Sequence, residues 1–297
     1  MTGGDVKRGG ARAGKSPYLA LAIAVSAVSF AAVLIRLSRA PPMAIATYRM
    51  SITTLILCPP AILSGAYSEV ARVTRKEAAI IFIAGTALAV HFASWISSLS
   101  FTSVASSVII VNLSPVLVAV IGRYLLRERV TPRMALGMGA ALIGCSIIAS
   151  VDLGSDEINL QGDIYAFAGA LAAAVYVLGG RMIRQNIGLF AYVLPVYAVC
   201  SLILAGASVL LKTPLYPYQE QEYLIFLALA IVPTIFGHTM YNWALRFVPA
   251  SLVAVSLLGE PVGAAALAGV ILHEYPPPMA VLGAALTLIG IYITARR

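Results

Sequence analysis

The feature that most constrains this chain is a series of ten apolar runs. Each is about 20 residues long, the length an α-helix needs to cross the hydrocarbon core of a bilayer. They cover roughly 17–35, 43–63, 78–98, 102–122, 132–151, 163–180, 189–211, 223–245, 250–272 and 279–295. Only 11% of the 297 residues are charged, against about 25% in a soluble domain. The expected fold class is therefore an all-α polytopic membrane protein with ten transmembrane helices and the lipid bilayer as its surroundings. The net charge of +8 does not point to nucleic acid, because the basic residues sit in short segments between the apolar runs. Cys58, Cys145 and Cys200 all lie in apolar runs and are odd in number, so no disulfide framework and no metal site are expected. The first run continues into Arg36 without a small-residue cleavage site, which reads as a first span rather than a cleaved signal.

Lysine and arginine orient the spans. With a cytoplasmic N-terminus, inner segments hold 16 of the 20 basic residues, among them Arg72, Arg75, Arg123, Arg127, Arg129, Arg133, Arg181, Arg184 and Arg246. Outer segments hold three, Arg36, Arg39 and Lys212, and Arg49 lies within a span. Both termini are thus expected in the cytoplasm, with the chain in the cell inner membrane or plasma membrane.

The chain also repeats itself. At a constant offset of 146, Phe101 meets Phe247, Pro115 meets Pro261, Glu128 meets Glu274, Pro132 meets Pro278 and Gly137 meets Gly283. Leu142-Ile143-Gly144 meets Leu288-Ile289-Gly290. Apolar bias does not align prolines, a loop glutamate and glycines without a gap. The offset contains five spans, an odd number, so the second copy enters the membrane from the opposite side. This predicts two inverted five-helix repeats, an arrangement that places substrate between the halves. The expected division is a cytoplasmic tail at 1–16, a first repeat at 17–151, an extracytoplasmic linker at 152–161 and a second, inverted repeat at 162–297.

Ten spans, the five-plus-five repeat, "SP…LLRERVTP" in one half and "EP…ILHEYPPP" in the other resemble the drug/metabolite transporter superfamily, EamA type. Gly162-Asp163 at the sixth span and Tyr48-Arg49 in the second are similar to that family's pattern. The resemblance covers almost the whole chain and implies transport of small metabolites, often export of amino acids and related compounds.

Candidate site residues follow from what is costly in a membrane. Glu260-Pro261 stands near the middle of the ninth run, nine residues from Ser251, or about 14 Å deep. Proline suits the first turn of a helix, so Pro261 is expected to start a half-helix with Glu260 as its N-cap. Ser114-Pro115 repeats the arrangement in the fourth run, with Asn112 beside it. Interrupted helices at matching positions point to a transporter's binding site. Glu260 is either a structural cap or a group that meets substrate or a coupled proton, since ionisable side chains in membranes usually face a cavity. Arg49 lies six residues from Met43, about 9 Å from the outer edge. It either snorkels outward or anchors a carboxylate through two parallel hydrogen bonds.

His91 and Trp95 share a helix face, as do His238, Tyr241 and Asn242. They read as packing groups or as a polar and aromatic cavity lining, to which Tyr176 and Tyr197 are expected to add. Gly137, Gly139, Gly144, Gly283 and Gly290 mark the fifth and tenth spans as close-packing elements, at an inter-repeat or a dimer face. No HExxH, no GxSxG and no paired aspartates within spans suggest an enzyme. No nucleotide-binding domain is evident, so transport would draw on a gradient or on the substrate itself, with no cofactor. The expected function is a secondary exporter of small metabolites, amino acids foremost, working by alternating access as a monomer or homodimer. A multidrug exporter of lipophilic cations, and uptake of the same metabolites, remain as alternatives from sequence alone.

Overall fold

The structure, a computed structural model, describes residues 16–98, 101, 107, 110–150, 160–273 and 275–296. Every regular element among them is a helix. The chain runs through α1 (Ser16–Leu37), α2 (Pro42–Leu63), a one-turn α3 (Ala66–Val70), α4 (Arg75–Ser98) and α5 (Ser114–Leu125). It continues through α6 (Pro132–Ser150), α7 (Leu160–Ile183), α8 (Leu189–Leu210), α9 (Glu220–Ala244), α10 (Ala250–Ile271) and α11 (Pro278–Ala295). Among the described residues nine helices are long and apolar enough to span a membrane, and α5 is a shorter apolar helix of 12 residues. The run expected at 102–122 falls partly outside the described residues, as do Glu274 and the segment 151–159.

Local sequence sets several of the helix ends. Pro42 opens α2, where a missing N–H costs nothing. Thr74 and Glu77 form a capping box at α4: the Thr74 N–H donates to Glu77 Oε2 at 2.9 Å, and the Glu77 N–H donates to Thr74 Oγ1 at 3.3 Å. Hydrogen bonds from Thr74 hold the exposed Glu77 carboxyl below its ordinary range.

Packing sets the rest. α6 lies along α11, α4 along α7, α2 along α8 and α1 along α9. α1 also meets α10, α5 meets both α7 and α10, α4 meets α8, and α2 meets α9. The α6–α11 pair is the closest approach. A Cβ at Gly144 would stand 2.5 Å from the Gly283 carbonyl oxygen, and one at Gly283 would stand 2.7 Å from the Gly144 oxygen. Gly137 and Gly290 face each other in the same way. Four of the five glycines singled out in the sequence thus bring two backbones into contact, which is how transmembrane helices gain dispersion energy. Gly139 is different: a Cβ there would meet nothing within 4 Å.

Two spans depart from regular α-helix. In α9, residues Ala230–Thr239 form a π-helix around Pro233, which has no N–H to offer. The threonine hydroxyls follow the wider turn: Thr234 Oγ1 donates to the Leu229 carbonyl at 2.9 Å and Thr239 Oγ1 to the Thr234 carbonyl at 3.2 Å. In α10, the α-helix stops at Leu257 and resumes at Gly259. The break is therefore a single residue, Leu258, with Glu260 and Pro261 in the first turn of the second segment. Glu260 is not the N-cap that the sequence suggested. Likewise α5 begins at Ser114 with Leu113 as its N-cap, so Ser114 is its first helical residue and Pro115 its second. The helix starts one residue earlier than expected at Ser114 and two residues earlier at Gly259, because proline needs only to fall within the first turn.

Candidate functional site

The two broken helices meet a central cavity of about 450 Å³. Arg49 from α2, His91, Phe92 and Trp95 from α4, Tyr176 from α7, His238, Tyr241 and Asn242 from α9, and Glu260 and Pro261 from α10 all line it. Asn112 and Ser114, at the start of α5, line it as well. Ser114 and Glu260, equivalent at the 146-residue offset, thus face the same space. Of the residues singled out in the sequence, Tyr197 does not line the cavity. It is fully buried on α8, one layer behind, with its hydroxyl 3.2 Å from Thr239 Oγ1. Pro115 is buried in the first turn of α5 and supports the break from outside the lining.

Arg49 is held from two sides. Its Nε donates to Thr234 Oγ1 at 2.7 Å, and its guanidinium lies 4.8 Å from the centre of the Phe92 ring. Thr234 is available for this because the π-turn rotates it toward α2. The terminal guanidinium nitrogens make no hydrogen bond to the described residues. Arg49 therefore does not snorkel: it is 4% exposed, and its fork is left for the cavity. Glu260 attracts it electrostatically, and the two side chains form no direct ion pair. The Glu260 backbone carbonyl accepts from Ser29 Oγ at 3.3 Å, which ties the break to α1.

Aromatic rings make up much of the wall. The His91 and Trp95 rings are nearly parallel, at an interplanar angle of 6° and a centroid separation of 6.1 Å. His91 Nδ1 is 2.9 Å from the Gly169 carbonyl oxygen. His238 stands edge-on to Phe92 and Tyr241. Asn242 Nδ2 donates to Tyr176 Oη at 2.5 Å and to the His238 carbonyl at 2.8 Å. Asn112 Nδ2 lies 2.9 Å from Cys145 Sγ. Three wall residues nonetheless hold a buried polar atom without a partner: Trp95 Nε1, Tyr241 Oη and Asn242 Oδ1. Such atoms cost about 1–3 kcal/mol each when unpaired, and a polar ligand can satisfy them. Among the described residues no group of three His, Cys, Asp or Glu side chains is placed to hold a metal ion.

Among the described residues the cavity lining reaches one end of the bundle. Arg36 in the last turn of α1, Ala149 near the end of α6, and Tyr275 to Pro277 before α11 line its mouth. The opposite end is closed behind Leu245. There Arg181 Nε is 2.8 Å from Glu128 Oε1, and Arg181 Nη1 donates to the Leu245 carbonyl at 2.6 Å. The Ala250 N–H donates to Glu128 Oε2 at 3.1 Å. Sequence reading found Glu128 only as a marker of the repeat. It missed Arg181, Thr234 and Phe92, whose partners lie far away in the chain; Pro233, a helix breaker within a span, was the available signal for the π-turn.

A bundle of membrane-length helices around a buried polar cavity, open at one end and closed at the other, has the build of a membrane transporter. The chain belongs to the EamA-like transporter family, whose model matches residues 16–150 and again 160–296. An uncharacterized transporter of Archaeoglobus fulgidus is 26% identical over 293 residues, which cover 94% of this chain and 98% of that one. A Salmonella typhimurium protein named probable amino-acid metabolite efflux pump is 24% identical over 295 residues, 94% of each chain. A solved crystal structure that is 19% identical in sequence shares the fold, with a TM-score of 0.80 over 95% of this chain and 96% of that one.

Proposed function

We propose that the protein is a secondary transporter that exports small zwitterionic metabolites, amino acids foremost, across the cytoplasmic membrane by alternating access. The observation that carries this reading is the pairing of Arg49 and Glu260 across one buried cavity, with the terminal nitrogens of Arg49 and the carboxylate of Glu260 making no hydrogen bond to the described residues. A guanidinium fork binds a carboxylate through two parallel hydrogen bonds, and Glu260 provides the counter-charge for an ammonium group. Asn112, Ser114 and the unpartnered atoms of Trp95, Tyr241 and Asn242 offer further polar contacts. His91, Tyr176 and His238 wall the substrate's side chain. The name of the Salmonella typhimurium relative supports the substrate class. Arg49 weighs against a lipophilic cation, which it would repel.

The ten-span, inverted-repeat plan supports the mechanism. The family model matches the chain twice, over stretches close to the proposed repeats at 17–151 and 162–297. The helix contacts also map onto themselves when the halves are exchanged. The α1–α9 contact exchanges with α7–α4, α1–α10 with α7–α5, and α2–α9 with α8–α4. The pairs α2–α8, α5–α10 and α6–α11 map onto themselves. In this plan the basic segments and both termini face the cytoplasm. The cavity then opens outward, and the Arg181–Glu128 pair is the inner closure that must part when the site turns to the cytoplasm.

The test is transport in proteoliposomes with a panel of labelled amino acids and a lipophilic cationic dye. The reading expects saturable transport of at least one amino acid and loss of it in Glu260→Gln. Transport of the dye alone would replace it with the cation reading.

A further inference from the structure

At the bundle end that carries the Arg181–Glu128 pair, α5 and α6 diverge and leave a second groove of about 750 Å³ on the outer surface. It is separate from the central cavity. Its walls are apolar, with Ala119 and Val120 from α5 and Met138 and Leu142 from α6. Gly139 lies in the groove wall, in the open space noted above. Arg123 and Arg129 stand at the mouth beside Tyr124. Among the described residues neither arginine makes a hydrogen bond or ion pair, and neither do Arg127 and Arg133 close by. Glu128, the one acid between Arg123 and Arg133, turns away to Arg181 and the Ala250 N–H. Among the described residues the mouth is therefore positive and uncompensated.

The repeat supplies a control. At the 146-residue offset Arg123, Arg127, Arg129 and Arg133 become Gly269, His273, Tyr275 and Met279. The same corner in the second half has no arginine, so the helix pair itself does not require these charges, which on the proposed orientation also mark the cytoplasmic face. An apolar trough that ends in unpartnered arginines at the head-group level matches a molecule with an anionic head and a hydrocarbon tail.

We propose that this groove is a binding site for an anionic phospholipid. The phosphate sits between Arg123 and Arg129, and one acyl chain lies over Gly139 between Val120 and Met138. Two arginines at the membrane surface favour an anionic over a zwitterionic head group on the order of tenfold. The site rests on the orientation proposed above only in that it assigns the lipid to the cytoplasmic leaflet.

Native mass spectrometry of the purified full-length protein tests this without any transport readout, so a failure of the transport reading leaves it unaffected. The probes are phosphatidylglycerol and phosphatidylcholine with identical acyl chains, and inorganic phosphate as competitor. The expected result is roughly tenfold preferred retention of phosphatidylglycerol, lost in Arg123→Ala/Arg129→Ala. Gly139→Leu, which fills the groove and leaves the arginines, should weaken retention, and inorganic phosphate should not displace the lipid. Equal retention of both lipids, an unchanged preference in the double variant, unchanged retention in Gly139→Leu, or displacement by inorganic phosphate would overturn the proposal.

Discussion

Arg181 and Glu128, 2.8 Å apart, join the two halves of the chain at the closed end of the central cavity. Glu128 follows α5 in the first half, and the Ala250 N–H that it accepts from starts α10 in the second. Arg181 adds the Leu245 carbonyl, directly behind the cavity floor. The pair is partly exposed, at 21% and 16%, so it is worth about 1 kcal/mol after solvent screening. That is enough to bias a conformational equilibrium roughly fivefold and weak enough to open during a cycle.

Arg181→Ala should therefore shift the protein toward the state open at this end. With Cys58, Cys145 and Cys200 removed, Val253→Cys on the cavity wall should label from the cytoplasmic side roughly fivefold faster in the Arg181→Ala background. Unchanged labelling would mean that the pair is only an end cap for α10.

Arg49→Lys keeps the charge and loses the planar fork. If Arg49 grips a carboxylate, apparent substrate affinity should fall about tenfold or more, the worth of one charge-assisted hydrogen bond. Thr234→Val should act in the same direction and less strongly, because it removes the hydroxyl that orients Arg49 Nε. The concentration dependence of transport reads both. An unchanged half-saturation concentration in Arg49→Lys contradicts the carboxylate role.

Gly144→Leu forces a side chain against the Gly283 carbonyl and should cost about 1–3 kcal/mol. Gly139→Leu, one turn and a half away, meets open space and should leave stability close to that of the parent. Thermal melts in the same detergent compare the two. Equal losses would mean that the α6–α11 contact is not the close one.

Orientation is open to direct labelling in intact cells. With the native cysteines removed, Tyr216→Cys should react with an impermeant thiol reagent from outside, and Arg72→Cys should not. Both positions lie in exposed connections, so reagent access does not depend on the conformational state. The reverse pattern would invert the topology and with it the assignment of the inner closure.

Much of this was legible in the sequence, because a bilayer leaves few options. Apolar length marked the nine described spans, and costly polar groups marked Arg49, Asn112 and Glu260. The limits were those of one-dimensional pattern. Tyr197 resembles Tyr176 in sequence, and only packing shows that it faces Thr239 rather than the cavity. Thr234 becomes Arg49's partner because a π-turn at Pro233 rotates it, a shift that no 3.6-residue period predicts. The break in α10 was visible from Pro261, but its position at Leu258, three residues before the proline, was not.

The measurement that tests the central claim most directly is transport by Glu260→Gln. Glutamine keeps the shape of the side chain and removes only its charge. The protein should insert and melt like the parent, since the Glu260 side chain caps nothing and the backbone bond from Ser29 is retained. Its substrate transport should nevertheless fall at least tenfold, as loss of a charge-assisted contact in a buried cavity requires. Near-parental transport by stably inserted Glu260→Gln would contradict the account and leave the broken helix as the whole reason for this residue.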